Sequence, residues 1–313
     1  MRLSEEILGG ERFAFGENWA RFLALLDDQR IRDAEESLQS KLEVENLAGK
    51  SFLDVGSGSG LFSLAARRLG ARVHSFDYDP RSVACTGELK RRYFLDDANW
   101  VVEEGSVLDQ DYLACLGEFD VVYSWGVLHH TGAMWQALEN VVPLVKERGQ
   151  LFISIYNDQG GPSARWLRVK RTYNAMPETL RWLVLMPALA RLWGKTTVRD
   201  ILRGKPFETW RNYGRRGRGM DAWHDVVDWV GGYPFEVAKP EEVFDFYRSR
   251  GFILQRLKTC AGGYGCNEYV LMKSNKRIGS FSRDSKDVAC ALDEQPRRSS
   301  RSESNAEGGS SEP

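Results

Sequence analysis

Three closely spaced glycines are the residues of this sequence best suited to hold a ligand. Gly56, Gly58 and Gly60 lie between a short apolar segment and a segment with helical periodicity. Glycine lets the backbone turn tightly and leaves no side chain where a ligand must approach. The first amides of a helix that follows such a turn point at the ligand. The spacing therefore predicts a ligand-binding turn between a strand and a helix.

The residues around this turn argue against a dinucleotide as the ligand. A dinucleotide fingerprint has the spacing G-x-G-x-x-G, so its third glycine would stand at position 61, where this chain has Leu61. Asp54, two residues before Gly56, would repel a diphosphate but can accept hydrogen bonds from the ammonium group of a methionine moiety. A dehydrogenase is therefore disfavoured.

A second carboxylate lies 17 residues beyond the last glycine. Asp77 follows the next apolar segment, the position from which a carboxylate can accept hydrogen bonds from both hydroxyls of a ribose. Asp79 and Pro80 mark a turn, so Asp77 is alternatively an exposed loop residue. The glycines and Asp77 together favour a nucleoside-containing ligand.

Short strands and helices alternate around these residues. Strands are predicted at 51–55, 72–76, 100–103, 119–124, 151–155, 252–257 and 268–272, and helices at about 61–69, 134–145 and 240–250. This alternation is typical of a parallel sheet with helices on both faces. The last two strands are joined through glycines, so a hairpin would form the antiparallel edge.

The chain divides into four predicted segments. Residues 1–47 form an N-terminal helical segment, and residues 48–156 and 240–274 form the sheet-bearing core. Residues 157–239 are an insertion that the sheet does not require. Residues 275–313 are rich in Ser, Arg and Glu without periodicity, which predicts a disordered tail.

Three motifs resemble those of the class I S-adenosylmethionine-dependent methyltransferases. Residues 53–60 resemble the first motif of that family, and residues 76–77 resemble its ribose-binding acid. Residues 119–130 are similar to the fourth-strand motif of quinone-pathway and natural-product O-methyltransferases. The resemblance covers about 48–156 and 240–273. It implies an α/β fold with a Rossmann-like, doubly wound, mostly parallel seven-stranded sheet and one antiparallel edge strand, plus a helical insertion as a lid.

The resemblance also implies the cofactor, S-adenosyl-L-methionine, and the residues that hold it. Residues 104–109 stand where the family has Gly-Asp-Ala followed by an acid, and Ser106 replaces the aspartate that binds adenine. Ser106 or the Val107 amide is expected at the adenine edge instead. The full set of expected cofactor contacts is Asp54, Gly56, Ser57, Gly58, Gly60, Asp77, Tyr78, Ser106, Val107 and Trp125.

Two histidines are candidate general bases for the methyl acceptor. His129 follows the fourth strand, at the edge where the cofactor's methyl group should lie, and a histidine pKa near 6.5 suits proton transfer. Bracing of the loop is the alternative for His129 and the favoured role of His130. His224 is the second candidate, with Asp221 and Asp228 at helical spacing. A metal site there is conceivable, but no metal is predicted.

The insertion is basic and aromatic. Residues 157–230 contain 14 Lys and Arg against 7 Asp and Glu. Arg165, Arg168 and Arg171 share roughly one helical face and are predicted to grip an anionic acceptor. A solvated basic face is the alternative. Residues 180–202 also suit a membrane surface, and residues 211–218 suit RNA phosphates.

The totals fit a cytoplasmic enzyme. The chain has 313 residues, is 42% apolar and 28% charged, and carries a net charge of −1, which excludes a polycationic nucleic-acid binder. No signal peptide is visible, and the five cysteines suggest reduced thiols. The leading hypothesis is an O-methyltransferase for a small-molecule or lipid- or glycan-linked acceptor. A tRNA-modifying methyltransferase and a non-catalytic cofactor-binding protein are the alternatives, and the oligomeric state is open.

Overall fold

The structure of the protein is a computed structural model that describes residues 2–16, 23, 26–213 and 222–274. Within these ranges, the side chains of residues 2, 4, 222 and 224 are not described. The predicted disordered tail, 275–313, lies outside the described residues. So does most of the segment at 211–218 that was considered for RNA contacts.

Seven strands form one sheet. They are β1 (Ser51–Val55), β2 (Arg72–Asp77), β3 (Trp100–Glu104), β4 (Phe119–Trp125), β5 (Val145–Tyr156), β6 (Phe252–Lys258) and β7 (Cys266–Lys273). Their order is β3-β2-β1-β4-β5-β7-β6. All neighbours pair in parallel except β7, which is antiparallel to both β5 and β6. The predicted mostly parallel sheet is confirmed, and the β6–β7 hairpin forms one edge with β6 outermost.

Helices connect the strands and cover the sheet. In chain order they are α1 (Arg2–Leu8), α2 (Asp28–Leu42), α3 (Leu61–Arg68), α4 (Pro80–Tyr93), α5 (Gln110–Leu116), α6 (Met134–Asn140), α7 (Gly161–Ala175), α8 (Trp182–Leu202), α9 (Glu208–Arg211), α10 (Ala222–Gly231) and α11 (Pro240–Arg248). Short 3₁₀ turns occur at Leu128–His130 and Glu178–Leu180. Asp79 caps α4 by accepting a hydrogen bond from the Arg81 amide, and Pro80 begins the helix.

The core lies on both faces of the sheet. Phe52 and Leu53 are fully buried in two different apolar clusters, because successive strand residues point to opposite faces. One cluster packs against α5, α6 and α11, and the other against α2, α3 and α4. Burial on both faces explains why the parallel strands are almost continuously apolar.

The insertion has an apolar cluster of its own. Trp166 and Tyr173 of α7 pack with Leu185 of α8 and with Val226 and Val230 of α10. The two ends of the insertion meet at the sheet, where residues 157 and 238 form an isolated parallel bridge. The insertion therefore leaves and rejoins the chain at one place, above the end of β5.

The longest helix belongs to this insertion. Helix α8 has 21 residues and contains Pro187 within its first two turns. Across the described ranges, no helix combines the length and the apolar character that crossing a lipid bilayer requires.

Candidate active site

A large cavity opens at the carboxyl ends of β1, β2 and β4. Its volume is about 1590 Å³. The strand order reverses between β1 and β4, and ligands of open α/β sheets bind in the crevice at such a switch point. The N-terminal segment, helices α2, α8 and α10 and the start of β7 contribute further walls.

The glycine turn after β1 brings bare backbone to this cavity. Gly56, Gly58 and Gly60 have φ angles of 80°, 54° and 78°, which L side chains rarely adopt. A Cβ at position 56 would lie 2.5 Å from Val127 Cγ1, and one at position 60 would lie 2.8 Å from Thr86 Cα. The turn therefore requires glycine both for its backbone angles and for close packing.

Asp77 is held by the backbone around it. Its Oδ2 accepts a hydrogen bond from the Gly58 amide at 2.8 Å, and its Oδ1 accepts one from the Asp79 amide at 2.9 Å. Burial raises the pKa of Asp77 to about 6, although these backbone hydrogen bonds act in the opposite direction. The carboxylate is fixed in orientation and would gain from hydroxyl donors of a ligand.

Asp54 lies deeper, at the end of a chain of hydrogen bonds. Trp100 Nε1 donates to Ser75 Oγ at 3.0 Å, Ser75 Oγ donates to Ser63 Oγ at 2.8 Å, and Ser63 Oγ donates to Asp54 Oδ2 at 2.5 Å. Burial raises the pKa of Asp54 to about 7, and the nearby Asp77 adds to this shift. A ligand with a positive charge would stabilise both carboxylates.

The predicted cofactor residues meet at this cavity. Gly60 does not line the cavity itself but packs against Thr86. The wall itself includes Asp54, Gly56, Ser57, Gly58, Asp77, Tyr78, Ser106, Val107 and Trp125. Bare backbone beside two buried carboxylates fits a ligand that carries ribose hydroxyls and a cationic amino acid end, as S-adenosylmethionine does.

Side-chain and backbone contacts fix the predicted adenine edge. Ser106 Oγ accepts a hydrogen bond from the Leu108 amide at 3.2 Å. The Val107 carbonyl accepts one from Asn140 Nδ2 at 2.9 Å. These contacts hold Ser106 and Val107 at the cavity wall, while their contact with adenine stays a prediction.

The N-terminal segment closes over the cavity, which no sequence motif indicated. Arg12 Nη1 donates to the His130 carbonyl at 2.9 Å, and Arg12 Nε pairs with Glu6 Oε2 at 2.8 Å. The Arg12 guanidinium also lies 5.1 Å from the centre of the Tyr78 ring. Tyr78 is thereby packed against the N-terminal segment, and Arg12 joins that segment to the loop after β4.

His129 is buried and lines the cavity from the 3₁₀ turn after β4. The ring contacts the backbone of Ser154, and this contact raises the pKa of His129, against the larger effect of burial. The ring packs 4.1 Å from the Tyr156 ring, centre to centre. Burial lowers the pKa of His129 well below its usual 6.5, so the imidazole is neutral at neutral pH. Both ring nitrogens are buried at the cavity wall, and the neutral ring is the form that this site favours.

His130 supports the same loop from the other side. Its Nδ1 donates a hydrogen bond to the Pro234 carbonyl at 2.5 Å, and its ring packs 4.9 Å from the Phe15 ring. Burial lowers the pKa of His130 to about 3. The bracing contacts agree with the role favoured for this residue from the sequence.

The other predicted base lies on α10. The side chain of His224 and its suggested neighbour Asp221 lie outside the described residues. Asp225 and Asp228 of the same helix line the cavity, and Tyr213 donates to Asp225 Oδ2 at 2.6 Å. A catalytic role for His224 stays a prediction. Asp228 was predicted only as a partner of His224, and Asp225 was not selected from the sequence.

The structure does not bring the three predicted anion-binding arginines to the cavity. Arg165, Arg168 and Arg171 do share one face of α7, but that face is exposed to solvent. The helix packs its opposite face inward, because that face carries the large aromatic side chains Trp166 and Tyr173. These arginines therefore correspond to the solvated basic face that was the alternative.

Lys170 is the basic side chain of α7 that turns inward. It is fully buried, its Nζ donates to the Trp229 carbonyl, and it lies 4.6 Å and 4.7 Å from the centres of the Trp229 and Phe235 rings. Burial lowers the pKa of Lys170 to about 7, against the attraction of Asp228. Only the packing of α7 distinguishes it from the exposed arginines, so no local pattern indicated its burial.

The charges around the cavity are mostly negative. Of the described residues that line it, ten are Asp or Glu and two are Arg. Tyr156, Trp193 and Trp229 add aromatic surface at the end formed by the insertion. The expected anionic acceptor stays a prediction, and none of Arg165, Arg168 and Arg171 lines the cavity to bind it.

Comparisons with known proteins match part of the chain. Residues 53–151 match a family model described as a methyltransferase domain. A ribosomal protein L11 methyltransferase of Methylococcus capsulatus is 41% identical over 71 residues, which cover 22% of this chain and 24% of that protein. A ubiquinone biosynthesis O-methyltransferase of Thiobacillus denitrificans is 33% identical over 112 residues, which cover 36% of this chain and 46% of that protein. The chain thus spans less than half the length of these relatives.

Solved structures resemble the chain over a greater length but at low identity. Magnesium protoporphyrin IX methyltransferase from Synechocystis, solved with bound SAH, is 13% identical with a TM-score of 0.45 and aligns over 78% of this chain and 83% of its own. The N-methyltransferase NodS from Bradyrhizobium japonicum is 14% identical with a TM-score of 0.43, over 80% and 99% of the two chains.

Proposed function

We propose that this chain, which carries a class I S-adenosylmethionine-dependent methyltransferase domain, methylates a hydroxyl group of a small, uncharged or cationic acceptor. The family match confirms the resemblance predicted from the motifs, and S-adenosyl-L-methionine is the cofactor of that family. The observation that carries the proposal is the position of His129. Its buried imidazole lines the same cavity as the glycine turn and Asp77.

The turn and the two carboxylates hold the cofactor in this proposal. Asp77 accepts hydrogen bonds from the ribose hydroxyls, and Asp54 stabilises the ammonium group of the methionine end. The bare backbone at Gly56 and Gly58 permits close approach. When bound, S-adenosylmethionine supplies an electrophilic methyl group. Positioning of the acceptor against it accounts for much of the acceleration that such an enzyme needs.

His129 acts as the general base. Its neutral imidazole would take the proton of the acceptor hydroxyl as the methyl group passes from sulfur to oxygen, which leaves the sulfur as a neutral thioether, and would later release the proton to water. Burial keeps the imidazole neutral across the physiological pH range, so it is unprotonated before the acceptor binds. His130 holds the turn that carries His129 through its hydrogen bond to Pro234.

The walls of the cavity support the choice of acceptor. Asp225 and Asp228 line the end of the cavity that the insertion forms, together with the aromatic rings of Trp193 and Trp229. Carboxylates next to aromatic faces suit hydroxyl donors and amines on a partly apolar body. A lipid- or glycan-linked acceptor is compatible with this end, whereas an RNA phosphate chain would meet mostly negative charge. A cytoplasmic location is part of the proposal.

Transfer of a labelled methyl group tests the proposal directly. The purified full chain is incubated with S-adenosylmethionine labelled in its methyl group and with fractionated cell extract. We expect label in the small-molecule or lipid fraction, in a linkage stable to base as an ether is. Label in RNA would support the tRNA-modifying alternative instead. Tight cofactor binding without transfer to any fraction would support a non-catalytic protein.

A further inference from the structure

The outward face of α8 is apolar, the reverse of the usual arrangement in a surface helix. Leu183, Met186, Val198 and Ile201 have exposed fractions of 45%, 48%, 56% and 53%. The inward face packs Leu185 and Ala188 into the insertion's own core. The exposed apolar side chains are therefore not required to fold this helix.

Helical geometry places these side chains on one surface. Leu183 and Ile201 are 18 residues apart, which is five full turns, so they point in the same direction about 27 Å apart. Met186 and Val198 lie about 60° to either side of that direction. The four side chains lie on one side of the helix in two pairs, one near each end, with Ala190 and Gly194 between the pairs. We call this side of the helix the α8 strip.

Positive charge borders the α8 strip. Arg191, Lys195 and Arg199 recur every four residues, and all three are exposed. Asp200 is the only acidic residue in the helix, and it is buried, accepting hydrogen bonds from the Thr209 amide and hydroxyl. Helix α8 therefore presents an apolar strip and only positive charge to its surroundings.

The first turn of α8 adds a residue suited to an interface between water and lipid. Trp182 is 58% exposed. Tryptophan is enriched where a membrane meets water, because its ring is apolar at one end and donates a hydrogen bond at the other. Its position extends the α8 strip at the N-terminal end of the helix.

We propose that α8 docks on the surface of an anionic lipid bilayer, with the α8 strip in the boundary between headgroups and acyl chains. An amphipathic helix with basic and large apolar residues binds in this way, parallel to the surface. The chemistry recognised is that of negatively charged headgroups. This docking does not depend on methyl transfer or on the identity of the acceptor.

Charge complementarity favours lipid over a second copy of the chain. A two-fold symmetric contact places the same patch on both subunits. The stripes of Arg191, Lys195 and Arg199 would then lie within one interface and repel each other, and α8 itself supplies no exposed carboxylate to neutralise them. An anionic bilayer neutralises the basic stripe and covers the apolar strip at once.

Docking would bring the cavity to the membrane surface. Leu192 and Trp193 of α8 line the cavity. Leu192 lies on the opposite side of the helix from Leu183 and Ile201. Trp193, in contrast, lies about 20° from Met186, at the border of the α8 strip. A membrane bound at the α8 strip would therefore lie close to the acceptor end of the cavity.

Vesicle flotation with the full chain tests the proposal. Vesicles of phosphatidylcholine alone are compared with vesicles that also contain phosphatidylglycerol. We expect the chain to float with the anionic vesicles, to bind the neutral ones at least tenfold more weakly, and to dissociate as salt rises. Failure to bind the anionic vesicles would overturn the proposal.

Two matched pairs of variants distinguish binding through the α8 strip from nonspecific binding to vesicles. Leu183→Asp/Ile201→Asp should lower binding at least tenfold, whereas Ile253→Asp, at a 45% exposed apolar residue of β6, should not. Charge reversal at Arg191, Lys195 and Arg199 should abolish the preference for anionic vesicles. The same reversal at Arg165, Arg168 and Arg171, which are exposed on α7, should preserve it.

A second measurement keeps the test independent of folding differences. Fluorescence of the wild type and of Trp182→Phe, with and without anionic vesicles, isolates the signal of Trp182. A shift of that signal to shorter wavelength on vesicle addition is expected. An unchanged Trp182 signal would overturn lipid docking. A dimer that light scattering detects and that Leu183→Asp dissociates would also overturn it, in favour of a contact between two copies of the chain.

Discussion

The backbone amide of Gly58 donates a hydrogen bond to Oδ2 of Asp77 at 2.8 Å. This contact joins the turn after β1 to the end of β2, so the two motifs of the cofactor site form one structural unit. Because the Asp79 amide holds the other carboxylate oxygen at 2.9 Å, Asp77 is oriented before a ligand arrives. The Asp77 side chain therefore loses less conformational freedom when a ligand binds, and this increases the affinity for the ligand.

Replacement of Asp77 should weaken cofactor binding. We expect Asp77→Ala to lower the affinity for S-adenosylmethionine at least tenfold, or about 1.4 kcal/mol, because two hydroxyl donors lose their acceptor. Titration calorimetry measures this. Asp111→Ala, at an exposed carboxylate of α5, is the matched control and should bind as the wild type does. Unchanged affinity in the Asp77 variant would remove this residue from the site.

Replacement of Gly60 should destabilise the fold. A Cβ there would meet Thr86 Cα at 2.8 Å, and the φ of 78° is unfavourable for alanine. We expect Gly60→Ala to lower the free energy of unfolding by about 1–3 kcal/mol in urea titrations. Gly87→Ala, in α4 with open space around it, should instead gain about 0.5–1 kcal/mol. Equal effects of both changes would contradict this account of the turn.

Local signals made the sheet and the turn predictable from the sequence. The bounds of β1 were predicted correctly at both ends, because an apolar run ends at the glycine turn. Strand β5 was predicted from residue 151 but begins at Val145. The first half of β5 has no apolar pattern, because it contains Lys146, Glu147 and Arg148 and is partly exposed. Arg148 also has a φ of 62°, which is unusual within a strand.

Contacts between distant segments could not be predicted in the same way. Arg12 and His130 are 118 residues apart, and no local pattern relates them. Lys170 and Arg171 are neighbours of the same charge, and only the packing of α7 buries the first and exposes the second. A shared helical face was predicted correctly for three arginines, but periodicity alone does not tell which face packs inward.

Removal of the exposed arginines of α7 should leave catalysis intact. We expect the triple change of Arg165, Arg168 and Arg171 to Ala to preserve both kcat and the KM for the acceptor, because these side chains point into solvent. Steady-state kinetics with the acceptor found by labelling measures both values. A large rise in the acceptor KM alone would restore the anion-binding role predicted from the sequence.

Removal of the proposed base should slow turnover selectively. We expect His129→Gln to lower kcat by about 10²–10⁴-fold, the usual contribution of a general base, while cofactor affinity changes little. Because burial lowers the pKa of His129 well below 6.5, wild-type kcat should stay constant as pH falls through 6.5. His74→Gln, at a half-buried histidine paired with Glu103, is the matched control. Normal turnover in His129→Gln would leave His129 a structural role.

Cofactor affinity should rise with pH between about 5.5 and 7.5. Burial raises the pKa of Asp54 to about 7 and that of Asp77 to about 6, so both are partly protonated in this range without a ligand. A cationic ligand favours the charged carboxylates, so binding should release protons. The raised pKa values of Asp54 and Asp77 also affect the stability of the unliganded fold. Their stabilising contribution is complete below the unfolded pKa of about 3.8, and it is lost as the pH rises through the folded pKa values of about 6 and about 7.

Calorimetry in two buffers of different ionisation enthalpy counts the released protons. We expect a several-fold gain in affinity from pH 5.5 to 7.5 and release of a fraction of a proton near pH 6.5. Asp54→Asn should bind more weakly and release fewer protons, because only Asp77 then titrates. Ser63→Ala removes the hydrogen bond that lowers the pKa of Asp54, so it should move the pH dependence upward. A pH-independent affinity with no proton release would mean that the positive end of the ligand lies away from Asp54.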